Sequence, residues 1–313
     1  MTLAALLARK ALLVLIITLL VASCSFWAVH LLPENLALQI AAARFSGLEP
    51  SQALADVVSE AYGLDQPIIV QYGEWLSRTL MFDFGTSLVT GRHVMHEIAH
   101  HAVNSLRTVF WGFIAGVGLA VPIGYICGRF AGSGLDVVLS TISAAVSTIP
   151  AFLVAIVMVQ LFVVELGFAT LSGTSGWTRL WVLILTIALS VSGSFSRVVR
   201  AAVIDVRAQP YMQHALMRGV PMHQLFWWHG VKNALRPMLN YLPVVFMFLI
   251  YDVIVIETVF NYHGLGWALI NAVKALDVPL MQGLVLSLVL FYLSCTTLVD
   301  ILAWRIYRQK AGP

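Results

Sequence analysis

One spacing in the sequence is typical of metal-dependent hydrolysis, the His-Glu-x-x-His pattern formed by His96, Glu97 and His100. On a helix the two histidines lie one turn apart on one face, where they could hold zinc while the glutamate activates a water molecule. Four histidines fall between positions 93 and 101, and such a pattern arises easily by chance in so histidine-rich a stretch. We therefore expect neither a metal centre nor catalytic residues here. A membrane zinc metallopeptidase with His96 and His100 as ligands is kept as the alternative.

The lysines exclude one source of energy. A phosphate-binding loop needs Gly-Lys followed by Ser or Thr, because its lysine must reach the terminal phosphates of a nucleotide. The four lysines, Lys10, Lys232, Lys274 and Lys310, follow Arg, Val, Val and Gln. The chain therefore does not hydrolyse a nucleotide through such a loop, and we expect no cofactor.

Two acidic residues, Asp252 and Glu257, lie in or at the end of an apolar stretch. Ionisable residues inside a membrane are costly, and they mark solute pathways or buried pairs. No residue next to Asp252 could neutralise it, so a water-filled path or a partner on another helix must accommodate it. Both acids are predicted as candidates for a translocation path, in which Asp252 would favour a cationic or metal-complexed solute.

The elements that carry these residues are apolar helices. Of 313 residues, 60% are apolar and only 11% are charged, which indicates a membrane protein with several spans. About 20 apolar residues cross a bilayer as a helix. Six stretches qualify, near Ala11–Leu32, Ser105–Cys127, Val137–Val164, Leu180–Ser196, Met238–Ile256 and Leu280–Trp304. The sequence therefore predicts an all-α protein with six transmembrane helices.

The basic residues predict the orientation of these spans, because Lys and Arg concentrate on the cytoplasmic side. With the N-terminus inside, twelve of the eighteen Lys and Arg residues are cytoplasmic. Both termini are then cytoplasmic. The organisation is a first helix (1–32), an extracytoplasmic segment capping the spans (33–104), a transmembrane core (105–304) and a cytoplasmic tail (305–313). Within the segment we expect a helix over Asn35–Tyr62 and short helices and turns over Gly63–Leu88.

The N-terminus has an alternative interpretation. Val21 to Cys24 imitate the cleavage site of a lipoprotein signal. Apolar character continues beyond Cys24, so we expect an uncleaved first span.

A basic cytoplasmic loop between the fourth and fifth spans, residues 197–237, holds six of the eighteen Lys and Arg residues and one acid. Pro210 and Pro221 suit the first turns of two helices, and Gly219 suits the end of the first. We expect a helix, a break, a second helix from about Met222, and the next span after Pro237. The loop is too apolar to be merely solvated. The membrane surface could cover some of its apolar residues, as it does for an interfacial helix, and a protein partner could cover the rest.

The motifs of this loop resemble those of a known family. Gly219, followed ten residues later by His229 and then by Asn233-Ala234-Leu235 and Pro237, is similar to the cytoplasmic loop of ABC-importer permeases of the dipeptide/oligopeptide/nickel group. Outside the loop, Gly63 to Tyr72, Asp83 to Ser87, and Glu257 with Phe260 and Gly264-Leu265-Gly266 resemble the first permease subunit of that group. The resemblance covers nearly the whole chain.

The resemblance implies a type I importer permease of the bacterial inner membrane that forms half of a path for peptides or a related small solute. Its implied partners are a homologous second permease subunit, two cytoplasmic ABC ATPases and an extracytoplasmic solute-binding protein, with no nucleic acid. The ATPases would dock on the loop, which then acts as a coupling helix. The coupling residues implied are Tyr211, His214, Ala215, Leu216, Arg218, Gly219, His229, Asn233 and Pro237. Leu216 departs from the family by replacing a commonly basic residue, and Asp252 stands where a small residue is typical.

Overall fold

The computed structural model describes residues 2–31, 66–168 and 176–308. Within these ranges the regular structure is helical, apart from an isolated bridge between Thr86 and His93. The helices are α1 (Leu3–His30), α2 (Ile68–Leu80), α3 (Val94–Arg129), α4 (Gly134–Thr148), α5 (Ala151–Val159, continued by wider π-type turns over Gln160–Glu165), α6 (Gly176–Arg207), α7 (Pro210–Met217), α8 (Met222–Leu225, continued by π-type turns over Phe226–Gly230), α9 (Val231–Val259), α10 (Leu265–Lys274) and α11 (Val278–Arg308). The all-α prediction is confirmed. The helix expected over Asn35–Tyr62 lies outside the described residues.

Five helical stretches of the described chain are long and apolar enough to cross a membrane, in α1, α3, α6, α9 with its preceding turns, and α11. The third predicted span is a pair, α4 and α5, bent by 95°. Pro150 causes the break, because a residue before proline is driven out of the helical conformation, and Ile149 is extended with ψ 123°. The six predicted spans therefore correspond to five long helices and one bent pair.

The helix bounds around the basic loop differ from the prediction. α6 continues through Arg200 to Arg207, and α9 runs unbroken through Pro237 and Pro243. A proline inside a long membrane helix is tolerated when its surroundings satisfy the freed backbone groups. The expectation that the next span begins after Pro237 is therefore wrong, and the segment between α6 and the π-type turns is only residues 208–225.

The chain forms two compact units. The first consists of Met1–Ser105 and His263–Leu293. In it, Ser23 of α1 shares a 2.7 Å hydrogen bond with Tyr72 of α2, and Trp75 donates one of 2.8 Å to Gln282 of α11. Beyond α2, the buried Asp277 accepts hydrogen bonds from the Ser87 hydroxyl and the Leu88 N–H. Between residues 66 and 88 the short helix and turns are as predicted, and they are fastened at both ends.

The second unit consists of Leu106–Tyr262 and Ser294–Pro313. Its α3 carries small residues at every fourth position, which lets α6 approach closely. A Cβ on Gly112 would lie 2.6 Å from Ile187, one on Gly116 2.7 Å from Val191, and one on Gly128 2.6 Å from Val203. Ala120 and Gly124 complete the row. Gly112 and Gly116 are thus closely packed, whereas Gly118 faces open space.

Candidate functional site: the basic loop and the buried acids

The first turn of α4 and the C-terminal part of α6 are joined by an ion pair. Arg200 binds the buried carboxylate of Asp136 through two hydrogen bonds of 2.7 Å each. The N–H of Gly132 and the hydroxyl of Ser140 donate to the same carboxylate. A bidentate arginine–carboxylate pair is strong and geometrically specific. Arg200, which counts toward the basic character of the loop, is thus committed to holding α4 against α6.

The loop folds as its prolines and glycine predict. Pro210 is the first residue of α7, where the missing N–H has no partner to lose. The helix ends at Met217, and two residues later Gly219 turns the chain at φ +82°, a left-handed conformation that only glycine adopts without strain. The N–H groups of Gly219 and Val220 then bond to the carbonyls of Leu216 and Ala215. Pro221 precedes α8, so the predicted helix–break–helix order is confirmed.

Two contacts hold α7 against its unit. Met212 is fully buried, with 0% of its surface exposed. Asn233 of α9 donates a 2.6 Å hydrogen bond to the hydroxyl of Tyr211. On the rest of α7, His214 and Arg218 are exposed, and Met217 is 81% exposed. The loop therefore offers an open face with a methionine at its centre, on a helix tied to α9.

The remaining residues predicted for the coupling loop make fewer contacts than Tyr211 and Asn233. Ala215 and Leu216 are half-buried, whereas Gly219 and His229 are exposed. His229 is reached through its backbone carbonyl, which accepts a 3.4 Å hydrogen bond from Asn233. Pro237 is exposed within α9, one turn beyond Asn233. The hydrogen bond between Tyr211 and Asn233 therefore joins, through their side chains, two motif residues that are 22 positions apart in the chain.

The two predicted path acids lie in different environments. Asp252 of α9 is half-buried, and its carboxylate is within hydrogen-bonding reach of the Ser190 hydroxyl of α6. The partner is thus a polar group on another helix rather than an opposite charge. Glu257 is fully buried, with 0% of its surface exposed, which favours a structural role over contact with a solute.

The surroundings of Glu257 support this role. Arg179 is 8% exposed and donates a 3.1 Å hydrogen bond to the carbonyl of Asn261. Tyr262 follows, and burial raises the pKa of its hydroxyl, which bonds to Thr108. The end of α9 is therefore a buried polar cluster that contains Glu257 together with Arg179 of α6 and Tyr262.

The His-Glu-x-x-His motif does not assemble as a hydrolytic centre. Its Glu97 is buried, with its carboxylate 3.6 Å from the Arg92 guanidinium and 3.8 Å from the His101 ring. His101 in turn donates a 2.9 Å hydrogen bond to the carbonyl of His263. His96 and His100 are exposed, so Glu97 is turned away from them. In the described part of the chain no group of three or more His, Cys, Asp or Glu is arranged to hold a metal.

Sequence reasoning missed three kinds of residue. Asp136 has no signal in the sequence that indicates its partner 64 positions away. Nothing in the sequence indicated that the Met212 side chain is buried. Gly124 and Gly128 could have been found, because they continue the four-residue spacing of Gly112, Gly116 and Ala120.

Comparison with known proteins agrees with this arrangement. Residues 120–310 match the family described as binding-protein-dependent transport system inner membrane component. Over 294 residues and 94% of each chain, the sequence is 34% identical to the glutathione transport system permease protein GsiC of Salmonella choleraesuis (strain SC-B67). It is 32% identical, over the same share, to its namesake in Escherichia coli (strain K12). These relatives are named as transport proteins and not as peptidases, which removes the metallopeptidase alternative. The chain, with its five to six apolar spans, belongs to the binding-protein-dependent transport system inner membrane component family and is a permease subunit of an ABC importer.

Proposed function

We propose that this permease subunit forms half of the path for short peptides or a related small solute, and that α7 couples this path to ATP hydrolysis by partner subunits. The relatives named for the transport of glutathione, a tripeptide, support a peptide-like solute. The observation that carries the coupling proposal is the α7 arrangement, with Met217 open to a partner and Tyr211 bonded to Asn233. A force applied to α7 passes through this bond to α9, which carries Asp252.

The proposed partners are a homologous second permease subunit, two cytoplasmic ABC ATPases and an extracytoplasmic solute-binding protein. One face of α9 supports the second permease. Val244, Met247, Phe248 and Tyr251 recur at helical spacing and are between 37% and 68% exposed. A homologous α9 facing this row would complete the path, with Asp252 at its border. Both termini would be cytoplasmic, as the distribution of basic residues indicates.

Within the path, Asp252 is the proposed determinant of solute charge. It is half-buried with a neutral partner, so its carboxylate remains available to a cation. Glutathione is anionic, and the Asp252 proposal therefore assigns this chain a neutral or cationic peptide.

The coupling proposal is tested by Met217→Glu in the assembled transporter. A charge at the centre of an apolar contact is desolvated without a partner, which costs about 2 kcal/mol or more. We expect the ATPases that co-purify with the permease to fall at least tenfold, with a parallel loss of uptake. Gln224→Glu, which adds the same charge at an exposed position of the same loop, is the matched control. Undiminished ATPase recovery with Met217→Glu contradicts the coupling role of α7.

A further inference from the structure

A cavity of about 260 Å³ opens beside the loop, where α3 and α6 end and α8 begins. Its lining consists of two arginines, three aromatic residues and a methionine, namely Arg129, Arg207, Tyr125, Phe130, Phe226 and Met222. The proposed path and the α7 face use none of these side chains. The cavity therefore needs its own explanation.

The charge in this cavity is unbalanced. Arg207 donates hydrogen bonds to the carbonyls of Gly128, at 3.1 Å, and of Arg129. The Arg129 guanidinium lies 5.3 Å from the centre of the Phe130 ring. Among the described residues no carboxylate lies within ion-pair distance of either guanidinium, since the buried acid nearby, Asp136, is taken by Arg200. Two positive charges thus share one cavity with no anion from the described chain.

The aromatic residues indicate the depth of the cavity in the membrane. The Tyr125 ring lies 5.2 Å from Phe226 and 5.8 Å from Trp227, and Trp227 is 62% exposed. Tyr and Trp concentrate at the level of the lipid headgroups, and Arg accompanies them on the cytoplasmic side. Next to the cavity, the exposed Ile126 of α3 offers apolar surface to an acyl chain.

We propose that this cavity binds a phosphate group, carried by an anionic phospholipid of the cytoplasmic leaflet. The guanidinium fork matches the geometry of phosphate oxygens, and basic pockets between membrane helices on the cytoplasmic side suit anionic headgroups. The aromatic rim and the apolar surface beside it accommodate the rest of the lipid. Since Met222 and Phe226 follow the α7–α8 break directly, a bound headgroup holds the C-terminal arm of the loop against α3.

The test is native mass spectrometry of the full-length permease, in its assembled transporter, with phosphatidylglycerol or phosphatidylcholine added. The wild type should retain phosphatidylglycerol in preference to phosphatidylcholine. Arg129→Gln should weaken phosphatidylglycerol retention about fivefold, since one basic residue near the surface contributes about that factor. Arg129→Lys should retain most of it. The matched control is Arg305→Gln, which removes an exposed cytoplasmic arginine away from the cavity.

The wild-type comparison needs no variant, so the proposal remains testable if Arg129→Gln does not assemble. Equal retention of the two lipids by the wild type overturns the proposal, as does equal weakening by Arg129→Gln and Arg305→Gln. A competition experiment with inorganic phosphate distinguishes a phosphate bound from solution from the headgroup of a lipid. Displacement of phosphatidylglycerol by millimolar phosphate supports a phosphate site filled from solution, whereas resistance supports the lipid.

Discussion

At the scale of single residues, the charged groups of this permease divide into those that hold the fold and those that we propose to act in function. Asp136 is satisfied by Arg200, a backbone N–H and a hydroxyl, and Glu97 by Arg92 and His101. Among the described residues, the side chain that bonds to Asp252 is a neutral serine, Ser190. A buried carboxylate with full compensation stabilises structure, whereas one with a weak neutral partner can exchange that partner for a solute.

Asp136→Asn should lower the free energy of unfolding by about 2 kcal/mol, because the bidentate pair loses its charge while the half-exposed Arg200 regains some hydration. Titration with SDS in mixed micelles measures this change. Asp205→Asn is the matched control, since Asp205 is an exposed acid of α6, the helix that carries Arg200, and it should stay within about 0.5 kcal/mol of the wild type. Equal stability of the two variants would show that the pair does not hold α4 to α6.

Asp252→Asn should reduce the preference of uptake for a lysine-containing dipeptide over a neutral one by about fivefold. An attraction of about 1 kcal/mol between a partly solvated carboxylate and a solute cation gives a change of this size. Competition uptake with the two dipeptides measures it, and the rate for the neutral dipeptide is the internal control. An unchanged preference would remove Asp252 as the charge determinant.

At the scale of elements, the packing of α3 on α6 depends on a row of small residues. The side chains of Ile187, Val191 and Val203 occupy the space that a Cβ on α3 would need. Without water to drive helices together, such close van der Waals contact is a main source of association in lipid. The row therefore controls how the α3–α6 pair forms.

Gly116→Leu should destabilise the permease by about 2 kcal/mol or more, since the added side chain collides with Val191 and forces the helices apart. Gly118→Leu makes the same change two residues away, where nothing lies within 4 Å, and should be close to neutral. Thermal unfolding of the two purified variants, followed by loss of monodisperse protein, compares them. Similar losses would mean that general helix propensity, and not close packing, explains the glycines.

At the scale of the whole molecule, each of the two units is stabilised internally, and the contacts that stabilise them differ in kind. The first relies on hydrogen bonds between polar groups remote in the chain, such as those that the Ser87 hydroxyl and the Leu88 N–H donate to Asp277. The second relies on helix packing and on the Asp136–Arg200 pair. A segment held by a few polar contacts opens more easily than one held by extended packing.

Asp277→Ala should release the turn around Leu88 and speed amide hydrogen exchange there at least tenfold, because hydrogen bonds to a charged group contribute about 1.5–3 kcal/mol each. Hydrogen–deuterium exchange with mass spectrometry over residues 82–93 measures the change. Glu74→Ala, which removes an acid from an exposed and weak ion pair with Arg78, is the control and should leave these amides unaffected. Unchanged exchange in Asp277→Ala would show that other contacts fasten the segment.

Much of the fold was predictable from the sequence, since each signal is local. Apolar runs of sufficient length indicated the spans, and Pro210, Gly219 and Pro221 placed the ends of the loop helices, because proline and glycine restrict or free the backbone at their own position. The loop motifs indicated the permease family because they too are local signals in the sequence. Pro150 can be read from the sequence, but a proline in a span can either bend a helix slightly or break it. The angle of 95° between α4 and α5 depends on the residues packed around them.

The sequence by itself thus determined the all-helical architecture, the order of the spans, the helix–break–helix loop and the family, all of which depend on composition and short-range backbone preference. Only the tertiary structure decided which polar groups have hydrogen-bond or ion-pair partners. It turned Glu97 inward, buried Glu257, paired Asp136 with Arg200 and left Asp252, Arg129 and Arg207 without an opposite charge among the described residues. These outcomes require contacts between residues remote in the chain, and the free energy of a charge depends on what surrounds it rather than on its neighbours in sequence.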